Sequence, residues 1–217
     1  MTKLQTTLDA FLHWELQTPN KIFFKQHIEG DVLNYTFEKA GKEARKIATY
    51  LKSLNLPRRS HIALLSKNCG HWIMADLAIM MADHVSIPIY PTLNAEGINQ
   101  VLVHSESKAI IIGKLDNFEP QKRGIPDIPK IGLGLFGIQE GEQWEDIVKN
   151  GKALQDMPNP DLDDLHTIIY TSGTTGIPKG VMHSIGNFAE SVKIFSKELK
   201  LDNHPRLFSY LPLAHVA

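Results

Sequence analysis

The chain has 217 residues, 42% apolar and 22% charged, a balance typical of globular domains and unlike that of disordered or fibrous chains. Its 23 basic and 24 acidic residues give a formal net charge of −1, so no overall field would attract nucleic acid. The single cysteine, Cys69, cannot form an internal disulfide, which excludes a disulfide-stapled secreted fold and favours a reducing compartment.

The sequence predicts neither a signal peptide nor a membrane span. Asp9, His13 and Glu15 interrupt the stretch where a signal peptide needs an unbroken apolar run. The longest apolar run, Trp72 to Ala82, contains Asp76 and has about half of the ~20 residues that cross a bilayer. We therefore expect a cytoplasmic protein. Peripheral contact with a membrane stays open, although no basic amphipathic stretch demands it.

The first part of the chain predicts a helix, a β-hairpin and a second helix. Apolar residues from Leu4 to Leu12 have helical spacing, and Pro19 ends this helix because the residue before a proline favours extended geometry. Short apolar runs at 21–24 and 32–35 flank a Glu-Gly-Asp turn and predict a hairpin. Thr36 is a suitable N-cap for the second helix, whose apolar residues form one continuous stripe.

From residue 60 onward, strands and helices alternate. Apolar runs predict strands at His61–Leu65, Val85–Tyr90 and Lys108–Gly113, and helical patterns lie between them at Trp72–Met81 and Ala95–Val103. Near-continuous apolar strands separated by amphipathic helices are typical of a parallel sheet that is covered on both faces. The predicted fold class is therefore α/β, a layered parallel-type sheet with helices on both faces.

Residues 114–164 differ from the rest because they have little periodicity. The prolines of this stretch are Pro120, Pro126, Pro129, Pro158 and Pro160. Its end is acidic, with eight acidic residues and two lysines between Gln139 and Asp164. We interpret 114–164 as an irregular, solvated connection with one short helix near Trp144 to Val148.

A glycine- and hydroxyl-rich segment follows the apolar strand Ile168–Tyr170. Its residues are Thr171, Ser172, Gly173, Thr174, Thr175 and Gly176. Lys179 comes shortly after, and a helix begins near Asn187. Glycines let backbone N–H groups converge on an anion, hydroxyl groups add hydrogen-bond donors, and a lysine supplies a mobile positive charge. The segment therefore predicts a phosphate-binding loop.

Two other glycine-containing motifs do not fit this segment. Residues 177–178 separate Gly176 from Lys179, and a glycine instead of Ser or Thr follows the lysine, so the segment is not a Walker loop. It is not a nucleophile elbow either, because Tyr170 occupies the position of the first glycine. Ser172 is therefore not predicted to act as a covalent nucleophile.

A second glycine pattern lies in the proline-rich connection. Gly132 to Gly137 matches the dinucleotide fingerprint on spacing alone. That fingerprint requires a strong strand before it and a helix that opens at its last glycine, and neither is predicted here. A dinucleotide oxidoreductase is therefore a minor alternative.

The loop segment resembles the signature phosphate loop of the adenylate-forming (AMP-binding) superfamily. This resemblance covers Tyr170 to Met182, and Tyr210 to His215 resembles the next motif of the family in the form typical of fatty acyl-CoA synthetases. More diffuse similarity is found at Thr18–Lys21, Leu33–Phe37 and Ile87–Thr92. The resemblance extends over most of the chain and points to the N-terminal part of a long-chain fatty acyl-CoA synthetase.

The resemblance implies a two-step reaction. A fatty acid carboxylate attacks the α-phosphate of ATP, accompanied by Mg²⁺, to give an acyl-adenylate and pyrophosphate, and coenzyme A then displaces AMP to form a thioester. By the same resemblance, Thr171–Gly176 and Lys179 hold the β- and γ-phosphates, and His215 lies beside the acyl carboxylate and the reacting phosphate. The other nine histidines are scattered without ligand spacing, so no protein-bound metal site is expected.

The chain also departs from the family pattern. Many members have a glycine pair near the position of Asp83 and His84, and His183 is displaced from the histidine that commonly follows the loop. The sequence stops within the second motif. We therefore expect residues 1–217 to form the first half of the large N-terminal domain, with most Mg²⁺ ligands and the C-terminal domain outside this sequence and with no activity for the piece alone.

A different class of function stays open. In this alternative the chain is a catalytically silent module that still holds a phosphate or nucleotide, or that pairs with another subunit. The acyl chain length and the oligomeric state are not predicted, because the residues that would line a fatty-acid tunnel lie mostly beyond Ala217 in the family pattern.

Overall fold

A computed structural model describes residues 6–171, 178–200 and 206–215 of the chain, with the side chain of His215 outside that description. The helices are α1 (Thr7–Gln17), α2 (Phe37–Ser53), α3 (Gly70–Met81), α4 (Ala95–His104), α5 (Glu119–Lys122), α6 (Trp144–Asn150) and α7 (Ile185–Glu198). The strands are β1 (Ile22–Ile28), β2 (Asp31–Thr36), β3 (His61–Leu65), β4 (Val85–Ile89), β5 (Ala109–Ile112), β6 (Lys130–Gly132), β7 (Glu142–Gln143), β8 (Leu165–Thr171) and β9 (Lys179–Ser184). Two 3-10 helices lie at Gly134–Phe136 and Leu213–His215.

The main sheet has the strand order β7-β6-β5-β3-β4-β8-β9. All neighbouring strands in it are parallel except the last pair, because β8 and β9 form an antiparallel hairpin. The carboxyl ends of the parallel strands therefore meet at one edge of the sheet, which is where ligands bind in open α/β sheets.

Helices cover both faces of this sheet. Along β3, Ile62 and Leu64 pack into one apolar cluster, whereas Ala63 and Leu65 pack into another on the opposite face. This alternation follows from the two-residue period of a strand. The structure confirms the predicted α/β class with a parallel sheet buried between two helical layers.

The hairpin and the capped second helix are also confirmed. Strands β1 and β2 pair antiparallel, and the Thr36 side chain accepts a hydrogen bond from the Lys39 backbone N–H at 3.2 Å. Phe24 on the hairpin lies against the start of α3, where a Cβ on Gly70 would come within 1.9 Å of its ring. Only glycine allows this close approach of ring and backbone.

The interpretation of residues 114–164 as an irregular connection is corrected in part. The structure places β6 and β7 at the edge of the main sheet, and it adds the short helix α5. Only the helix near Trp144 was predicted, and α6 confirms it. The strands span Lys130–Gly132 and Glu142–Gln143, too short for a recognisable apolar period.

Trp144 attaches this edge of the molecule to the core. Its side chain is 1% exposed within the cluster that includes residues of α2 and α3, and its indole N–H donates to Glu43 at 3.4 Å.

We expect Trp144→Ala to lower the free energy of unfolding by about 3–5 kcal/mol, since it removes a large buried ring and leaves a cavity. Chemical denaturation measures this loss.

Leu16→Ala provides the control for Trp144→Ala. Leu16 lies on α1 and is 78% exposed, so its truncation is expected to change the stability by less than about 0.5 kcal/mol. Equal stability of the two variants would contradict the assignment of Trp144 to the core.

His71 is a buried polar group beside Trp144. Its ring lies 5.6 Å from that of Trp144 and 5.6 Å from that of Tyr35, and the side chain is 3% exposed. Burial lowers the pKa of His71 to about 4, although the charge of Glu145 acts in the opposite direction. The imidazole is therefore neutral in the folded protein at pH 7.

The stability of the fold is expected to fall in acid because of this histidine. The unfolded chain takes up a proton near the ordinary pKa of 6.5 and the folded chain only near 4, so the His71 contribution is present above pH 6.5 and is lost as the pH falls towards 4. When this contribution is fully lost, the free energy of unfolding is lower by about 3 kcal/mol. Urea unfolding between about pH 7 and pH 4.5 measures it.

His71→Gln removes the titrating group while it keeps a polar side chain. The difference in stability between the wild type and this variant is expected to shrink as the pH falls. A parallel decline in both proteins would assign the acid sensitivity to other groups. Should the variant fail to fold, the ring-proton chemical shift of His71 in the wild type measures its pKa directly.

Candidate functional site

The predicted phosphate loop follows β8 at the carboxyl edge of the sheet. Residues His166 to Tyr170 of this strand are buried, whereas Thr171 is exposed. β8 runs parallel to β4 with Ser86 opposite Thr167, and the Thr167 hydroxyl donates to the Ser86 carbonyl at 2.8 Å. The chain therefore leaves the sheet at Thr171, at the edge where ligands bind.

The structure describes both ends of the loop. Ser172, Gly173, Thr174, Thr175 and Gly176 lie outside the described residues, so their assignment as phosphate ligands stays a prediction. Thr171 pairs with Lys179 across the β8–β9 hairpin, and both residues are exposed. Across the described ranges, no carboxylate lies within 4.0 Å of the Lys179 ammonium. Its positive charge is thus not neutralised by any of those side chains.

Tyr170 anchors the base of the loop to helix α4. Its hydroxyl lies 2.8 Å from Nδ1 of His104, the last residue of α4, and its side chain is 6% exposed. Across the hairpin, a Cβ on Gly180 would come within 3.2 Å of the Tyr170 ring and 2.7 Å of Ile168. Gly180 therefore lets the Tyr170 ring approach the backbone of the neighbouring strand closely.

A cleft of about 670 Å³ opens beside the loop. It lies between the end of β4, the start of α4 and the end of β8, and its walls include Tyr90, Thr92, Gly97, Thr171 and Pro178. This volume is within the range of small-molecule sites, and the walls combine apolar surface with hydroxyl groups. The cleft could hold part of a ligand whose phosphates lie at the loop.

The second predicted motif reaches the same sheet. Leu213 to His215 form a 3-10 helix that contacts β4, and Ala214 is 2% exposed. The backbone of His215 is thus fixed next to the sheet, while its side chain lies outside the description. The role of His215 stays a prediction.

The described residues contain no group of three or more His, Cys, Asp or Glu side chains that could hold a metal ion. We derive no step through the Mg²⁺ that the family resemblance implies. In the same ranges, no helix is long and apolar enough to cross a membrane.

The Gly132–Gly137 pattern forms a different structure from a dinucleotide loop. It comprises the end of a three-residue strand and a 3-10 helix, not the start of a long helix. The backbone N–H groups of Gly134 and Leu135 donate to the carboxylate of Glu145 at 3.1 and 2.8 Å. An internal anion therefore occupies the donors that a bound phosphate would need.

Sequence reasoning missed the partners that hold the site in place. His104 lies on α4, far from Tyr170 in sequence, and no local pattern links the two residues. Gly180 was noted only as a departure from the Walker pattern. A glycine directly across a predicted hairpin from an aromatic residue is the one signal that could have indicated this close packing.

The fold and the loop position together define an α/β protein with a candidate phosphate site at the carboxyl edge of a parallel sheet. The chain belongs to the AMP-binding enzyme family, whose model matches residues 11–217.

Similar proteins support this classification. The long-chain-fatty-acid–CoA ligase ACSBG2 of Homo sapiens is 29% identical over 205 residues, which cover 86% of this chain and 30% of that protein. The long-chain-fatty-acid–CoA ligase FadD15 of Mycobacterium tuberculosis is 29% identical over 215 residues, with 93% and 35% covered. This chain thus spans about a third of the length of these relatives.

Solved structures share the fold. A putative long-chain-fatty-acid CoA ligase from Rhodopseudomonas palustris aligns with a TM-score of 0.80 at 20% identity, over 97% of this chain and 52% of that one. At this identity the match shows the fold alone. It confirms the predicted α/β architecture.

The Tyr170–His104 contact gives a testable prediction about the loop base. Tyr170→Phe removes the hydroxyl and leaves His104 without this partner, so we expect a loss of about 0.5–1.5 kcal/mol in the free energy of unfolding. Hydrogen exchange is expected to rise in β8 and β9. Tyr210→Phe is the matched control, because the Tyr210 side chain is 73% exposed. Identical exchange in both variants would contradict an anchoring role.

Proposed function

We propose that this chain forms the phosphate-binding part of an ATP-dependent fatty acid–CoA ligase. The observation that carries the proposal is the pair Thr171–Lys179 at the carboxyl edge of the sheet, where no carboxylate of the described residues lies within 4.0 Å of the lysine ammonium. Membership of the AMP-binding family and the long-chain ligases among the relatives support the same reaction.

In the proposed reaction, a carboxylate oxygen of the fatty acid attacks the α-phosphorus of ATP. The bond from that phosphorus to the bridging oxygen breaks, and pyrophosphate leaves with the electron pair. The sulfur of coenzyme A then attacks the acyl carbonyl and loses its proton, while the bond to AMP breaks. Fatty acid, ATP and coenzyme A are the proposed small-molecule substrates, and Mg²⁺ accompanies the ATP.

The residues of this chain act on the leaving group. Backbone N–H groups and hydroxyls of Thr171–Gly176 are proposed to hold the β- and γ-phosphates, and Lys179 adds a positive charge. These contacts strengthen as charge develops on pyrophosphate, so they stabilise the transition state more than the ground state. His215 is proposed to hold the fatty acid carboxylate near the α-phosphate.

We further propose that residues 1–217 make up the N-terminal portion of a larger AMP-binding domain. Helix α7, the residue that follows it and strand β9 carry large exposed apolar side chains. These are Val181, Met182, Val192, Ile194, Phe195 and Leu199, each at least 44% exposed. Exposed apolar surface of this kind is typical of an interface. In the full-length relatives, the remaining two thirds of the chain would supply its cover.

A silent binding module remains the second candidate. The observation that favours it is the combination of a partial match to the relatives with this exposed apolar surface. Such a chain would hold phosphate or pair with a subunit without chemistry. ATP–pyrophosphate exchange distinguishes the two candidates, because only the ligase returns labelled pyrophosphate to ATP.

The exchange assay uses this chain extended through the rest of the proposed larger domain, with fatty acids from short to long. Exchange with any of them supports the ligase, and a preference for long chains would define its substrate class. ATP binding without exchange favours the silent module. Absence of both exchange and ATP binding would overturn the loop assignment and the proposed function together.

Substitution of Lys179 gives the most direct test of the proposed ATP binding. Lys179→Ala is expected to weaken ATP affinity by about tenfold or more, since it removes a charged donor to phosphate. Isothermal titration calorimetry measures the change. Lys149→Ala is the control, because Lys149 is an exposed lysine on α6 and its loss should leave the affinity unchanged. Equal affinities of the two variants would contradict the proposed role of Lys179.

A further inference from the structure

The segment that carries the second motif is hydrogen-bonded to the rest of the described chain through one side chain. Residues 206–212 are exposed, so packing contributes little to their position. Within the part of the chain that the structure describes, the hydrogen bonds that join residues 206–215 to other segments all involve Asn68. The exposed segment therefore depends on this amide for its path across the molecule.

Asn68 uses both ends of its amide group. Its Nδ2 donates to the Ser209 hydroxyl at 3.1 Å and to the Leu211 carbonyl at 2.6 Å. Its Oδ1 accepts from the Leu213 backbone N–H at 2.9 Å. An asparagine side chain offers two N–H donors and one carbonyl oxygen, and here all three functions are satisfied by one segment.

The backbone on either side of Asn68 is rigidly placed. The Lys67 N–H donates to the Lys114 carbonyl at 2.8 Å, which ties the end of β3 to the end of β5. The Gly70 N–H donates to the Gln26 side chain at 2.9 Å, at the start of α3. Asn68 thus projects from a fixed platform at the carboxyl edge of the sheet.

We propose that Asn68 is a positioning residue that fixes the backbone of His215 at the candidate site. The bond to the Leu213 N–H sets the register of the 3-10 helix, and the buried Ala214 then seats this helix against the core. His215 is the next residue, so its Cα position follows from these two contacts. This inference rests on the proposed function only for the catalytic consequence; the structural clamp is independent of it.

Aspartate, the closest replacement for asparagine in shape, cannot form all three hydrogen bonds of Asn68. Asn68→Asp keeps an oxygen that accepts from the Leu213 N–H, but it loses both donors and places a negative charge against the Leu211 carbonyl. Asn68→Ala removes all three bonds. Asn99→Asp is the matched control, because the Asn99 amide also donates to a backbone carbonyl, that of Gly124, at 3.1 Å.

Hydrogen exchange of the backbone amides tests the clamp without any need for activity. In Asn68→Asp and Asn68→Ala, exchange across residues 209–215 is expected to accelerate by about tenfold or more, with an unchanged melting temperature because the affected segment is exposed. Asn99→Asp should leave this segment at the wild-type rate. Wild-type exchange rates at 209–215 in both Asn68 variants would overturn the proposal.

Steady-state ATP–pyrophosphate exchange by the extended chain tests the catalytic consequence. Asn68→Asp is expected to lower kcat while the KM for ATP stays constant, since the loop and Lys179 are intact. Combined with His215→Ala, it should cause no further loss, because the two residues act as one unit. Additive losses would overturn a role through His215. If the wild type shows no exchange, the link to catalysis fails with the proposed function, while the amide data still decide the clamp.

Discussion

The candidate site depends on the pairing of β8 with β4. This pair brings a strand from late in the chain alongside one from the first half, and the Thr167 hydroxyl reinforces it through the Ser86 carbonyl in a buried position. Because the strands are parallel, their carboxyl ends meet at one edge. Thr171 at the loop and Tyr90 in the cleft follow from that alignment, and the parallel pairing of β3 with β4 places Asn68 at the same edge.

Local sequence patterns could predict the parts of the fold that bury a continuous apolar run. Strands β3, β4, β5 and β8 were predicted in this way, and so was the Thr36 cap of α2. Strands β6 and β7 could not be predicted, since three and two residues are too few for a period to show. Their place in the sheet is set by tertiary contacts such as the packing of Trp144, which no local window contains.

The same limit applies to the site. The phosphate loop was recognisable because its residues are contiguous, so composition and order alone carry the chemistry. The supports are long-range pairs: His104 with Tyr170, and Asn68 with Leu213, which are 66 and 145 positions apart. A single polar residue near a strand end is compatible with many structural roles, and only the folded chain shows which partner it contacts.

One departure from the family pattern shows how the fold tolerates an unusual residue. Asp83 takes the place near which many family members have a glycine pair, and its φ of 64° lies in the left-handed region that favours glycine. Its carboxylate pairs with Arg58 at 2.5 Å and with Arg59 at 3.4 Å. Asp is one of the residues that enter this region most readily, and the two ion pairs help to hold it there.

The two glycine-containing loops show why spacing alone does not define a phosphate site. At Gly134 and Leu135 the Glu145 carboxylate already accepts the backbone N–H hydrogen bonds. A phosphate there would have to displace an internal anion and would face its charge. At the other loop, the described neighbours include Lys179 and no carboxylate within ion-pair distance of it. The two loops therefore differ in the charge beside them, which is the negative Glu145 carboxylate at one and the positive Lys179 ammonium at the other. Only the loop between β8 and β9 favours an incoming anion.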